Sequence, residues 1–363
     1  NAKNIWTYMY WSDDQGKDSF IMVIDDGDGM NKDELLNRAL NIPKDEHVDK
    51  GENDHSVYGL GLKAGSFNHC TSITIITKKD ELIKKTLNLK DGITDNMPSC
   101  IEHKFVKKHL EDLNSRKSGS IVLWSDLDNL TKLRASERGP NFYEDCDKAK
   151  KHFKLIYHKY LLENKINLFF NGTEEVNKTK TFDPFYKNNP DTIILPGSEV
   201  SFFKGGTTKI TPYIIPIDTT NENLGKSRNE LQGLYFLRKN RVIDYGGWFG
   251  LGEKNVDKFW GTSERFNRLR IEIEIPIETS KDWITDSKNQ VNIPSYAYSK
   301  IRKCLIQIRK DYLEKVNLMN GKNKEPINEI LKKKNELIRM LRNSVLNDEE
   351  LVKIEKSIKE LNG

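Results

Sequence analysis

The sequence lacks the features that mark several large classes of protein. Its four cysteines, Cys70, Cys100, Cys146 and Cys304, lie far apart and form no CxxC pair, which argues against zinc ribbons and disulfide frameworks. No apolar run approaches the roughly 18 residues that a membrane-spanning helix needs, and no signal-peptide pattern opens the chain. We therefore expect no metal-ligand set, no membrane association and a reducing, cytoplasmic setting.

A strong excess of one charge is also missing. The 363 residues carry 59 Lys and Arg against 54 Asp and Glu, and a net charge of +5 neither indicates nor excludes a nucleic-acid-binding protein. The excess is confined to the C-terminus, where the residues from Lys300 onward include 16 Lys and Arg against 10 Asp and Glu. Mixed-charge helices usually expose a solvated face, and the alternative is a surface that binds DNA or a partner protein.

Apolar and β-branched runs predict a sheet near the start of the chain. Four runs predict strands, at residues 5–11, 20–24, 72–77 and 120–124. Asn31 predicts the N-cap of a helix over 32–40, with Glu34 completing a capping pattern. Residues 43–56 are polar and lack any apolar period, which predicts a loop.

The remainder of the chain predicts further strands and long helices. Strands are predicted at residues 166–170, 210–217, 234–237 and 269–277. Helices are predicted at residues 148–162, 298–316, 327–346 and 351–361. A chain of this length predicts two or three domains of roughly 150 residues each.

The segment DDGDGM, from Asp25 to Met30, follows a predicted strand and precedes a predicted helix. Its glycines permit a sharp turn and a close approach of the backbone to a ligand. A carboxylate held at such a turn can accept a hydrogen bond from an exocyclic amine, such as N6 of adenine. By itself the segment is equally consistent with a tight turn or part of a calcium loop, although the Glu expected at the end of an EF-hand loop is missing.

A second glycine-rich segment, YGLGLKAGSF, spans Tyr58 to Phe67. Glycine-rich backbone that enters a helix offers free N–H groups and the positive end of the helix dipole to phosphates, and Lys63 adds a charge. The segment is neither a Walker A motif nor a GxGxxG motif. The two glycine segments in this order, with a charged loop between them, form a more specific signal than either alone.

Together these segments resemble the GHKL ATPase superfamily, which includes gyrase B, the heat-shock chaperone ATPases, histidine kinases and MutL, and they look closest to its MORC-like branch. The resemblance implies that Asp25 binds adenine N6 and that the base pocket is lined by Gly27, Gly29 and Met30. It implies that residues 45–57 form a lid and that the phosphates are wrapped by Gly59, Gly61, Lys63 and Gly65. Ser120 stands where a family threonine supports the aspartate through a water.

The resemblance continues at residues 232–243 and 247–248, which look like the transducer domain of MORC-like and MutL-like proteins. The segment after Trp283 resembles the switch loop whose lysine reaches the γ-phosphate, with Lys288 as the candidate and Lys281 as the alternative. The implied fold class is α+β, with a Bergerat-type α/β sandwich that binds ATP, then a transducer domain with a mixed sheet, then a C-terminal helical segment. The implied domains are residues 1–140, 141–310 and 311–363, the last a helical hairpin or the start of a coiled arm.

The activity implied by the resemblance is slow, Mg²⁺-dependent ATP hydrolysis coupled to lid closure and to dimerisation of the ATPase heads. This would drive a clamp or switch, on DNA or in phage defence. The family's catalytic Glu and Mg²⁺-binding Asn would precede Asn1, so no general base or metal ligand is assigned here and the segment is expected to be hydrolytically defective. The alternatives are a non-hydrolysing module that senses ATP and dimerises, and a chaperone-like ATPase.

Overall fold

The computed structural model of the protein describes residues 1–12, 18–41, 61–127, 135–172, 178–203, 205–219, 224–251, 261–284 and 290–320. By its internal contacts the chain divides into two units, Asn1–Cys304 and Leu305–Gly363. The first unit is α+β and contains two mixed sheets with helices, as the resemblance predicted. Within the described residues, none of the helices is long and apolar enough to cross a membrane.

The first sheet contains seven strands, and the four predicted near the start of the chain are confirmed. The strands are β1 Asn4–Tyr10, β2 Phe20–Asp25, β3 Ser72–Lys78, β4 Leu82–Asn88, β5 Gly92–Thr94, β6 Gly119–Ser125 and β7 Asn167–Phe170. Their order is β5-β4-β3-β6-β2-β1-β7, and every pair is antiparallel except β1 and β7. Strand β7 therefore extends the first sheet, although it lies within the predicted second domain.

Successive side chains of each strand point to opposite faces of the first sheet, and apolar residues are buried on both faces. Phe20, Met22 and Ile24 of β2 pack on one face with Val106 and Leu113, from the helix α2 Lys104–Ser115. Ile21 of β2 and Ile73 and Ile75 of β3 pack on the opposite face, against three further helical segments. These are a π-helical segment Glu34–Leu40, α1 Gly61–Phe67 and α3 Ala135–Ile156. A 3₁₀ turn, Ser99–Glu102, precedes α2, and α4 His158–Leu162 follows α3.

The helical segment after β2 begins as the sequence predicts. The side-chain oxygen of Asn31 accepts a hydrogen bond from the Glu34 amide, and a Glu34 carboxylate oxygen accepts one from the Asn31 amide, each at 2.9 Å. This reciprocal pair satisfies two backbone donors that a helix start would otherwise leave without partners. The following turns end at Leu40 and are π-helical rather than α-helical.

The second sheet contains six strands, β8 Ile193–Ile194, β9 Ser198–Ser201, β10 Thr207–Ile214, β11 Gly233–Arg238, β12 Arg241–Tyr245 and β13 Leu269–Glu274. Their order is β12-β11-β13-β10-β8, with β9 also paired to β10. The helices in this part of the chain are α5 Arg228–Leu231, α6 Ser280–Trp283 and α7 Tyr296–Met319, with a 3₁₀ turn at Glu264–Phe266. Leu155 and Ile156 of α3 pack against Tyr213, Tyr235 and Leu237. The two helices predicted at 327–346 and 351–361 lie outside the described residues.

Candidate functional site

Asp25 is the last residue of β2, and its carboxylate is half-buried. Its Oδ1 accepts a hydrogen bond of 2.8 Å from the amide of Gly27. Among the described residues, no hydrogen bond engages its Oδ2. Burial raises the pKa of this carboxyl, and the Gly27 hydrogen bond opposes part of that rise. The arrangement holds one oxygen in place and leaves the second able to accept a proton donor from a ligand.

The glycines after Asp25 are required by the contacts of the loop with neighbouring strands. Gly29 has φ +67°, and a Cβ there would lie 1.9 Å from the carbonyl oxygen of Lys78. Gly119, at the start of β6, has φ +147°, and its Cβ would lie 2.6 Å from the carbonyl oxygen of Asp25. A Cβ on Gly27 would lie 2.8 Å from Asp25 Oδ1. Gly29 and Gly119 therefore lie so close to neighbouring backbone that only glycine fits there, before any ligand is considered.

Thr77, near the end of β3, connects this loop to β6 and is not among the residues predicted from the sequence. Its fully buried hydroxyl accepts a hydrogen bond of 2.8 Å from the amide of Met30. The same oxygen lies 3.2 Å from the carbonyl of Gly119 and 3.0 Å from the hydroxyl of Ser120. Ser120 is paired in register with Asp25 on one side and Thr77 on the other. The sequence signal that could have identified Thr77 is a threonine near the end of an apolar strand.

The two carboxylates that follow Asp25 are engaged in other contacts. Asp26 Oδ1 accepts hydrogen bonds of 2.8 Å from the amides of Lys3 and Asn4, and its Oδ2 accepts one of 2.6 Å from the Asn4 side chain. Burial alone would raise the Asp26 pKa, but these hydrogen bonds outweigh burial and lower it. Asp28 is exposed and accepts a hydrogen bond from the side chain of Asn1. Asp26 therefore secures the start of β1.

On the predicted phosphate side, the structure describes α1 but not the residues before it. Lys63 is 7% exposed, and its ammonium donates to the carbonyl of Asn41, the residue that caps the π-helical segment. Burial lowers the Lys63 pKa. A Cβ on Gly65 would meet no atom of the described residues within 4 Å, so this face of α1 is open toward them. Gly61 is the first residue of α1, whereas Gly59 and the predicted lid at 45–57 lie outside the described residues.

Lys288, the candidate for sensing the γ-phosphate, also lies outside the described residues. Lys281, the alternative, is exposed in α6 on the second sheet. Its neighbour Ser280 accepts a hydrogen bond of 2.8 Å from Arg238 Nε, and Trp283 is buried with its ring centroid 5.7 Å from that of Phe202. These contacts fix α6 against the second sheet.

No group of three His, Cys, Asp or Glu side chains in the described part of the chain could hold a metal ion. Magnesium in nucleotide sites is usually held by one or two carboxylates together with phosphates and water. Asp26 and Asp28, the acidic side chains beside Asp25, are engaged by Asn4, Lys3 and Asn1.

Comparison with known proteins places these features in a family context. Residues 1–120 match the family model described as "Histidine kinase-, DNA gyrase B-, and HSP90-like ATPase", and this range includes Asp25, Thr77 and Ser120. ATP binding and hydrolysis are the general activity of such domains, and the match does not distinguish the MORC-like branch. No curated protein sequence matches the chain.

A solved structure similar to this chain is described as "Crystal Structure of N terminal domain of a DNA repair protein". It shares 13% sequence identity, with a TM-score of 0.48, over 88% of this chain and 91% of that chain. A likeness of this size carries no argument about function.

Proposed function

We propose that residues 1–120 form an ATP-binding site in which Asp25 accepts the N6 amino proton of adenine. The observation that carries this proposal is the Asp25 carboxylate itself, which is half-buried, held by Gly27 at 2.8 Å and placed within the residues that match the ATPase family. Gly27, Gly29 and Met30 form the loop beside it, and Thr77 and Ser120 support that loop from β3 and β6. Guanine presents a carbonyl where adenine presents the amine, so this site would discriminate against GTP.

The phosphates would lie along α1, in contact with Gly61, Lys63 and Gly65, and Gly59 would add a contact from the segment before this helix. Support comes from the open space at the Gly65 Cβ position and from the buried Lys63, which among the described residues donates only to the neutral carbonyl of Asn41. A phosphate oxygen is a stronger acceptor for an ammonium group than a neutral carbonyl. Lys63 would therefore exchange Asn41 for the nucleotide when ATP binds.

The wider role that we propose is hydrolysis of Mg²⁺-ATP coupled to closure of residues 45–57 over the nucleotide and to dimerisation of the ATPase heads. The chain would then act as a nucleotide-gated clamp or switch on DNA or in phage defence, with Lys288 or Lys281 sensing the γ-phosphate. We retain the proposed domains 1–140, 141–310 and 311–363 for this scheme. Its support is the resemblance of the motifs, since a fold alone does not identify a biological role.

A second candidate is a module that binds ATP and dimerises without hydrolysing it. The observation that favours it is the engagement of Asp26, whose two carboxylate oxygens accept three hydrogen bonds and which therefore makes a poor general base. Release of inorganic phosphate from ATP distinguishes the two candidates. A turnover rate indistinguishable from the uncatalysed rate, together with ATP-dependent dimers, would favour the sensor.

The primary test is calorimetric titration of ATP and GTP into the parent protein and into Asp25→Asn. A hydrogen bond to a charged group contributes about 1.5–3 kcal/mol, so the substitution should weaken ATP binding roughly 10-fold to 100-fold. Asp28→Asn is the matched control, because Asp28 is exposed in the same loop, and it should bind ATP like the parent. Equal affinities of the parent for ATP and GTP would contradict the adenine assignment.

A further inference from the structure

A cluster of three lysines lies where α3 crosses β7, and it shares no residue with the proposed ATP site. Lys150 and Lys154 are four residues apart on α3 and therefore project from the same face of the helix. Phe153 of this helix stacks on Phe170 of β7 with ring centroids 6.2 Å apart, and Lys150 Nζ lies 5.8 Å from the centre of the Phe170 ring. This face of α3 is therefore held directly against the edge strand.

The third lysine comes from the segment that follows β7. The backbone of Lys178 forms an antiparallel β-bridge with Phe169, and the Thr179 amide donates a 2.7 Å hydrogen bond to the carbonyl of Leu168. Lys180 follows immediately and is exposed. Pairing with β7 thus fixes the position of Lys180 beside the strand on which α3 packs.

Lys154 is the unusual member of this cluster. Its side chain is only 7% exposed, and among the described residues no carboxylate or other acceptor pairs with its ammonium. The charges that act on it are those of Lys180 and Lys150, which have the same sign, and burial together with these charges lowers its pKa. Other lysines of α3 are paired, since Lys148 contacts Glu144 at 3.0 Å and Lys151 contacts Asp147 at 2.5 Å.

Burying an unpaired charge beside two like charges is unfavourable, and an anion in the cluster would remove that cost. The hydroxyl of Thr179, next to Lys180 in the chain, is also buried and has no hydrogen-bond partner in the part of the chain that the structure describes. Lysine ammonium groups and hydroxyls are typical donors to phosphate oxygens. We infer that Lys154, Lys150 and Lys180 bind a phosphate group at the junction of α3 and β7. The group could come from free phosphate or from a nucleic-acid backbone, whose phosphate chemistry is shared.

The test uses the full chain and two titrants, inorganic phosphate and a single-stranded DNA oligonucleotide, with chloride at matched ionic strength as the reference. Lys154→Met preserves the length of the side chain without its charge, and Lys180→Gln changes an exposed residue that the fold does not need. Each variant should weaken binding of the active titrant about 10-fold, the effect of losing one charge-assisted hydrogen bond. Lys148→Gln is the matched control, because Lys148 lies on the same helix but is paired, and it should bind like the parent.

Proton uptake provides a readout that a purely structural lysine would not change. Because burial lowers the Lys154 pKa and a bound anion raises it, binding should consume protons at alkaline pH, where lysine side chains lose their protons, and calorimetry there in buffers of different ionisation enthalpy measures this. The uptake should disappear in Lys154→Met. A response to phosphate alone identifies a free anion as the ligand, and a response to the oligonucleotide alone identifies a backbone phosphate. The inference fails if neither titrant binds, or if Lys154→Met and Lys180→Gln both bind like the parent.

Discussion

Asp25, Asp26 and Asp28 show how contacts assign different roles to three identical side chains within four residues. Asp26 receives three hydrogen bonds from Lys3 and Asn4, which lower its pKa and make it part of the sheet. Asp25 receives one from Gly27, and burial raises its pKa. Asp28 is exposed. The residue proposed to bind adenine is therefore the half-buried aspartate that keeps an acceptor oxygen for a ligand.

Gly65 allows a prediction in which stability and binding change in opposite directions. Its Cβ position in α1 is open, so Gly65→Ala should fit the folded protein and stabilise it by up to about 1 kcal/mol, because glycine weakens helices. If the phosphates lie against this face, the same methyl group should weaken ATP binding about 10-fold or more. Thermal unfolding and ATP titration measure the two effects.

Gly261→Ala is the control for this prediction, since its Cβ would also meet no atom within 4 Å. It should leave ATP affinity unchanged. If Gly65→Ala binds ATP like the parent, α1 does not approach the phosphates at this residue.

At the scale of the element, β3 supports the candidate site through a single side chain. The Thr77 hydroxyl reaches Met30 in the loop after β2 and both Gly119 and Ser120 at the start of β6. Strands β2 and β6 are neighbours, and β3 lies beyond β6, so this hydroxyl joins the ends of elements that are distant in sequence. The position of the adenine loop depends on the register of the sheet.

Thr77→Val should therefore reduce both stability and ATP affinity. Valine has nearly the same shape, but it leaves the Met30 amide without its acceptor, at a cost of about 1–3 kcal/mol in the free energy of unfolding. Urea denaturation and ATP titration provide the two measurements.

Thr74→Val is the matched control, because Thr74 is equally buried on β3 and bonds to Thr86 at 2.9 Å, away from the loop. It should reduce stability without changing ATP affinity. Equal losses of affinity in the two variants would show that Thr77 has no specific role in positioning the loop.

At the scale of the whole first unit, a buried ion network fixes α4 to the second sheet. Glu272 of β13 is 3% exposed and contacts Lys159 of α4 at 2.5 Å and Lys187 at 2.6 Å, while Tyr213 donates to it at 3.1 Å. Burial alone would raise the Glu272 pKa, but the two lysines outweigh burial and lower it. The network therefore joins α4 to β13 of the second sheet. Helix α3, which precedes α4 in the chain, packs against the first sheet.

Glu272→Gln should destabilise the protein by about 1–3 kcal/mol, because it leaves the partly exposed charges of Lys159 and Lys187 without the buried carboxylate that they share. Since the pKa of Glu272 is lowered on folding, its contribution is present above the unfolded-state value of 4.5 and is lost as the pH falls through the folded-state value. The difference between parent and variant should therefore shrink in acid. Chemical denaturation at several pH values measures it.

Glu274→Gln is the control on the same strand. Glu274 is 51% exposed and lies 3.5 Å from Lys159, so its removal should cost at most about 1 kcal/mol. A loss at Glu272 no larger than at Glu274 would show that the buried network contributes little to stability.

The sequence by itself determined the local features of this protein. The apolar runs predicted β1, β2, β3 and β6, and the Asn31 and Glu34 pair predicted a helix start that the structure contains. These features depend on neighbours a few residues away, so local patterns are sufficient to identify them. The two glycine segments likewise pointed to the ATPase family whose model matches residues 1–120.

Only the tertiary structure decided which distant residues meet. Strand pairing across many intervening residues adds β7 to the first sheet and gives Thr77 its role. It also gives Asp26 hydrogen bonds to Asn4 that Asp25 does not make. The burial of Lys154 and the contact of Lys63 with Asn41 are equally invisible to local patterns. Burial and partners set the pKa and the availability of a side chain, and both are consequences of packing between elements that the sequence does not specify one residue at a time.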